Sequence, residues 1–371
     1  MVRTIAHIAV LAFAACAAGG DESAAFAQDG WRTDFSRHVV PLSEIVSGGP
    51  PKDGIPALDR PRFVTVRAAG RKLSDREPVI LLEHSGTVRV YPIRILLWHE
   101  IVNDRVGDLP VAVTYCPLCN TALVLDRRHK GRVLDFGTTG RLRHSDMVMY
   151  DRQTESWWQQ ATGEGLVGTY AGDTLRLVPS AMVSWATAKR AHPSAEVLSD
   201  ETGFDRPYGT TPYAGYDAPG GSPIAEFFGG KKDDRLPAME RVATVQIGRE
   251  WVAYPFSRLS RARVANDAVG GHALAVFWTP GTASALDARE LGSSRDVGAT
   301  GVFDRQLNGR TLTFQPDGAG GFRDRETGSR WNVLGHAVAG ELRGSRLRRI
   351  TSADYFWFAW AVFRPQTRIW K

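Results

Sequence analysis

The sequence predicts an α+β to mainly β fold, built as a tandem duplication of an antiparallel, strand-rich module with short helices. Three observations carry that expectation. Residues 91–117 and 254–280 align without gaps over 27 positions, ten of them identical, including Tyr91-Pro92 with Tyr254-Pro255 and Asn103-Asp104 with Asn266-Asp267. The match resumes downstream, where Asp151-Arg152-Gln153-Thr154-Glu155-Ser156 answers Asp324-Arg325-Glu326-Thr327-Gly328-Ser329. Short β-branched runs separated by Gly-containing turns outnumber helical patterns, so an antiparallel arrangement is favoured over a doubly wound parallel sheet.

Taken in order, Pro78–Leu82 and Thr87–Tyr91 read as a hairpin around Ser85-Gly86, followed by a short helix over 94–102. Val111–Tyr115 is an apolar run of strand length, and 121–127 with 132–136 reads as a second hairpin turning at Lys130-Gly131. A strand is expected over 144–150, another near Leu175, and a helix over 181–191 that stops before Pro193. The divisions are a signal peptide over 1–27, an N-terminal arm over 28–62, a first repeat over 63–201, a Gly/Pro/Tyr-rich connection over 202–237 and a second repeat over 238–371.

Arg3 precedes an apolar run from Ile5 to Ala18 and a small-residue pattern at Ala25-Phe26-Ala27, the signature of export to a periplasmic or extracellular location. Cys16 offers a lipid anchor as a minor alternative. The run is shorter than the roughly 18 to 20 residues that cross a bilayer, and no later segment is apolar enough, so no transmembrane segment is expected in the mature chain. Removing residues 1–27 leaves 45 basic against 38 acidic residues, a net charge of +7. The basic residues are scattered, which argues against nucleic acid as a partner. The expected partner is a small molecule, a metal or an envelope protein, and no nucleotide is expected.

Cys116-Pro117-Leu118-Cys119 follows the apolar strand directly, and these are the only cysteines left after residues 1–27. Two thiols at this spacing can converge on one metal ion or close a disulfide. Asn120 in place of His after Cys119 argues against covalent haem, and a zinc signature with a second cysteine pair is absent. The second repeat supplies a control: Thr279 and Thr282 face Cys116 and Cys119, Ala262 faces His99 and Arg263 faces Glu100. It also lacks a counterpart to Arg143-His144-Ser145-Asp146-Met147. Joint loss points to one site assembled from the cysteine turn, the His99-Glu100 helix end and the His144 segment.

The leading expectation is a Cys116/Cys119 centre binding copper or zinc, with His144 or His99 as a further ligand. Glu100, Asp146 and Met147 would stand close by, and Trp157 with Gln159 would line a cleft. One alternative is a thiol–disulfide enzyme in which an exposed Cys116 attacks and Cys119 resolves. Another is a non-catalytic binding module with a structural disulfide.

The strings His99-Glu100-Ile101-Val102-Asn103-Asp104, Thr114-Tyr115-Cys116-Pro117-Leu118-Cys119, Met149–Ser156 and Tyr208-Gly209-Thr210-Thr211-Pro212-Tyr213 resemble the exported prokaryotic family called domain of unknown function 3179. The resemblance spans nearly all of the mature chain. It implies that the Cys-Pro-Leu-Cys turn is a family hallmark, and it implies no activity.

Overall fold

A computed structural model describes Phe26, residues 30–318 and residues 320–371. The expected signal peptide and Cys16 lie outside the described residues, Phe26 excepted. That ring packs against Phe35 and Trp157 at centroid distances of 5.3 and 5.2 Å.

Strands hold 40% of the chain and helices 11%, so the mainly β expectation holds. The expected first hairpin is present as Pro78–His84 with Thr87–Pro92, in antiparallel register from Val79 opposite Pro92 to His84 opposite Thr87. Ala181–Ser184 flanks it on one side and Glu196–Leu198 runs parallel on the other. Helix Ile93–His99 follows, ending at Glu100, whose φ of 56° places it in left-handed space. A second sheet orders Ile101–Val106, Leu109–Cys116, Thr121–Asp126 and Leu177–Val178. A third joins Phe136–Arg143, Asp146–Asp151, Trp157–Gln159 and Gly165–Val167.

Beyond residue 240 come three sheets of four, three and four strands, against five, four and five in the sheets above. Arg241–Ile247 pairs with Glu250–Pro255, flanked by Ser352–Phe356 and by a parallel Arg368–Ile369. Helix Phe256–Ala262 ends at Arg263 with φ 65°. Val264–Val269, His272–Thr279 and Ala299–Asp304 form the second sheet. The third consists of Phe314–Pro316, Phe322–Asp324, Arg330–Trp331 and Ala337–Ala339.

Four local expectations are corrected. Thr121–Asp126 pairs with the cysteine strand, and only a two-residue hairpin, Arg128–His129 with Arg132–Val133, turns at Lys130-Gly131. The strand expected from His144 starts at Asp146, because His144 and Ser145, with φ of 53° and 67°, form the tight turn between Arg143 and Asp146. The helix expected from Ala181 begins at Trp185: Ser184 caps it by accepting from the Thr187 N–H at 3.2 Å, and the residues before it belong to the sheet. The first helix stops three residues short of Val102, since Ile101 onward is drawn into the sheet.

The connection over 202–237 is ordered without helices or strands of its own. Its Tyr216 hydroxyl donates to the Leu118 carbonyl at 3.0 Å, and Asp217 is buried against Arg241. The main core therefore runs through both halves, and Tyr115, Cys116 and Cys119 share it with Leu286, Phe356 and Phe358. Among the described residues no helix is long and apolar enough to cross a membrane.

Candidate metal centre

The cysteine strand is an uninterrupted buried run, Leu109–Cys116, which sets Cys116 at its end inside the core. Pro117 cannot donate to a ladder and breaks the strand. The chain reverses over four residues to Thr121, helped by Asn120 at φ 53° and by the Asn120 N–H donating to the Pro117 carbonyl at 3.1 Å. This geometry brings both sulfurs to one side. The turn is held from outside by the Phe356 N–H, which donates to the Cys119 carbonyl at 2.9 Å.

The His144-Ser145 turn lies against that reversal. Cys119 Sγ donates to the Ser145 carbonyl at 3.3 Å, and Cys116 Sγ contacts it at 3.8 Å. The following residue, Asp146, is fully buried and completes a cluster in which Cys116 Sγ, Cys119 Sγ and a carboxylate oxygen lie within 4.8 Å of one another. Asp146 Oδ1 accepts from Gln159 Nε2 at 2.6 Å and from the Ala161 N–H at 2.9 Å. Its Oδ2 is buried beside the thiols and, among the described residues, takes no conventional hydrogen bond.

Burial dominates the electrostatics. It pushes the Asp146 carboxyl up to about 6 against the opposing hydrogen bonds from Gln159 and Ala161. It raises the Cys116 thiol and raises the Cys119 thiol well above its ordinary value, with Cys116 adding to the latter. Glu100 is pushed up to about 8, first by burial and then by Asp146. The three groups of the cluster and the neighbouring Glu100 thus all have their protonated forms favoured relative to water, and a bound cation would reverse that preference for its donors.

A cleft of about 610 Å³ opens beside the cluster, with Glu100, Leu118, Met147, Tyr213 and Phe227 in its wall. The thiols do not line it themselves. Met147 lies between the two environments: it belongs to the cleft wall, and its backbone N–H reaches Cys116.

The two expected imidazole ligands are elsewhere. His99 is satisfied at both nitrogens, by the Pro56 carbonyl at 2.7 Å and the Tyr208 hydroxyl at 2.6 Å, so it is a hydrogen-bonded helix end. His144 is turned away by the left-handed turn; its Nε2 lies 3.3 Å from Glu44 Oε2, and its ring packs against Phe228 and Phe363. Trp157 is fully buried against Trp31 and Phe35 and is not in the wall of this cleft. Gln159 is a partner of Asp146 rather than a cleft residue. Both cysteines are free thiols, so the structure has no disulfide between them. An exposed attacking thiolate is absent too: Cys116 is 1% exposed and Cys119 0%.

Sequence reasoning did not single out Tyr213 or Tyr216 in the cleft wall, although Tyr213 ends one of the strings that carry the family resemblance. No curated protein and no solved structure matches the chain. The family model of a protein of unknown function, DUF3179, matches residues 52–367, and the chain belongs to that family.

Proposed function

We propose that Cys116, Cys119 and Asp146 bind one transition-metal ion of soft or borderline character, zinc in the first place and copper in the second. The carrying observation is that two thiol sulfurs and a buried carboxylate oxygen converge within 4.8 Å. Tetrahedral zinc, with about 2.3 Å to sulfur and about 2.0 to 2.2 Å to oxygen, needs donors roughly 3.5 to 3.8 Å apart, which this cluster can reach with small adjustments. A carboxylate as third donor favours zinc over Cu(I), which prefers sulfur throughout. Two thiolates cancel the charge of a divalent ion, and Asp146 as third donor leaves the set with one net negative charge.

Three protein donors leave one coordination position, and the adjoining cleft is the route by which a small molecule would approach it. Glu100, whose carboxyl is pushed up to about 8, lies in the wall of that route as a proton donor. We read the region beyond residue 240 as a duplicated copy of the module that keeps the scaffold without the centre. We also read the protein as exported, on the residues before Gln28.

The test is elemental analysis of the exported protein, wild type against Cys116→Ser/Cys119→Ser. Close to one equivalent of metal in the wild type and less than a tenth in the variant is expected; equal content in both would remove the proposal. Mass analysis of the mature chain, with Gln28 expected as its first residue, tests export.

A further inference from the structure

A second group of donors lies far along the chain from the cysteines, where the two halves meet. Glu83 sits near the end of strand Pro78–His84, His192 caps helix Trp185–Ala191, and His336 precedes strand Ala337–Ala339. One donor atom from each lies within 4.8 Å of the other two. His192 Nε2 is 3.2 Å from Glu83 Oε1, and His336 Nε2 is 3.8 Å from the same oxygen. The two imidazoles meet edge to face, with centroids 5.6 Å apart.

Three features separate this group from an ordinary ion-pair network. His192 is 6% exposed, and its Nε2 is buried without a hydrogen bond of good geometry. That nitrogen lies 3.2 Å from a carboxylate oxygen that the other imidazole also approaches, at 3.8 Å, so two imidazoles converge on one oxygen. Finally, donors around a tetrahedral ion at about 2.0 to 2.1 Å stand roughly 3.3 Å apart, close to the spacings already present.

We propose that Glu83, His192 and His336 form a second binding site, independent of the cysteine centre, for a divalent first-row metal ion of the zinc or copper class. Two imidazoles and one carboxylate suit those ions, and three donors leave a position open. Entry is from a cleft of about 330 Å³ in whose wall Glu83, His336 and Arg346 lie. The ion would join Glu83 and His192 of the first half to His336 of the second, and so clamp the halves.

Arg346 and Arg349 oppose it. Arg346 Nη1 holds Glu83 Oε2 at 2.7 Å, but its side chain is 59% exposed and can swing away, leaving both carboxylate oxygens to the metal. Arg349 is fixed over the Phe303 ring and stays a nearby positive charge. Arg346 is therefore the competitor for the carboxylate, and its removal should strengthen metal binding.

The experiment is zinc titration by calorimetry of untagged, chelator-stripped Cys116→Ser/Cys119→Ser protein, so that only this site reports. One equivalent of zinc is expected. His336→Ala should weaken it at least a hundredfold, Arg346→Ala should tighten it several-fold, and His272→Ala, at an exposed histidine on another strand, should leave it unchanged. No bound zinc, or the same affinity in His336→Ala, would overturn the site; unchanged affinity in Arg346→Ala would overturn the competition. If the double serine variant does not fold, His336→Ala in the wild-type background should hold one equivalent fewer than the wild type, whatever the cysteine centre holds. Equal stoichiometry there overturns the site.

Discussion

The cysteine-bearing region and the region beyond residue 240 share a set of side-chain hydrogen bonds and differ at the turn. Tyr91 donates to Asp104 at 2.7 Å, and Tyr254 donates to Asp267 at 2.8 Å. Asn103 Nδ2 donates to the Phe136 carbonyl while its Oδ1 accepts from the Phe136 N–H, and Asn266 does the same with Phe314. Asp151 gathers Thr154 and Trp158 as Asp324 gathers Thr327 and Trp331. The difference begins where the central strand ends. After Cys116 the chain reverses over residues 117–120, whereas after Thr279 it travels through 280–298 before the next strand. The hairpin that carries Asp146 is eight residues long on one side and six on the other, against three and three in Phe314–Pro316 with Phe322–Asp324. What the two regions hold in common is backbone support, and what only one of them has is a place where sulfur and carboxylate meet.

The largest effect should come from removing the carboxylate that only the first region possesses. Asp146→Asn keeps the shape and can still meet Gln159, yet it loses the charge facing the thiols, and metal affinity should fall by on the order of 100-fold or more. Calorimetry with zinc measures this; an affinity within threefold of wild type would leave the two sulfurs as the whole site. Next in size are the shared buried aspartates. Asp151→Ala and Asp324→Ala each strand an indole N–H in the core, and each should cost about 2 to 4 kcal/mol in denaturant unfolding. Similar costs, with zinc stoichiometry unchanged by Asp324→Ala, would sharpen the division between support and chemistry. A cost at one aspartate alone would break it.

Much of this was legible from residue types. Alternating β-branched runs marked the hairpins, and Cys-Pro-Leu-Cys after Val111–Tyr115 placed two thiols at a strand end. The ligand set was not. His99 and His144 looked like donors by chemistry, and their rejection depends on Pro56, Tyr208 and Glu44, which lie 43, 109 and 100 residues away in sequence. The His144-Ser145 turn is the sharper lesson. A strand running from His144 would put it on one face with Asp146, but two consecutive left-handed residues rotate the imidazole outward and leave Asp146 facing in. No Gly or Asn marks that turn, so its type could not be read from composition. The connection over 202–237 offered a composition rich in Gly, Pro, Asp and Tyr, and its Asp217 is fixed by Arg241 and Ser284 of the second half.

Glu100 and Arg263 occupy the same left-handed position after equivalent helices, and only the acid is buried beside other acids. Burial holds its carboxyl at about 8 against an ordinary value of 4.5. Folding therefore favours the protonated form: the contribution to stability is fully present below about pH 4.5 and is lost as pH rises toward 8. Glu100→Gln removes that dependence. In chelator-treated protein the variant should match wild type near pH 4.5 and exceed it by on the order of 3 kcal/mol near pH 8. A constant difference between those pH values would show that Glu100 ionises freely in the cleft.

The smallest expected effect is the most direct probe of the comparison. Thr279→Cys/Thr282→Cys places the same cysteine spacing in the second region. Thr282 is buried, so its thiol would sit in the core as Cys119 does. The chain there does not reverse, however, and the acid on the neighbouring hairpin, Asp317, is held by Arg330 at 2.9 Å and by the Gly321 N–H at 2.9 Å. Two sulfurs on a passing loop whose own acid, Asp296, already accepts from the Gly281 and Thr282 N–H groups at 2.7 and 3.2 Å should add no zinc to the stoichiometry. One further equivalent would mean that Cys-x-x-Cys spacing suffices on this scaffold, and that Asp146 and the four-residue reversal are incidental to metal binding.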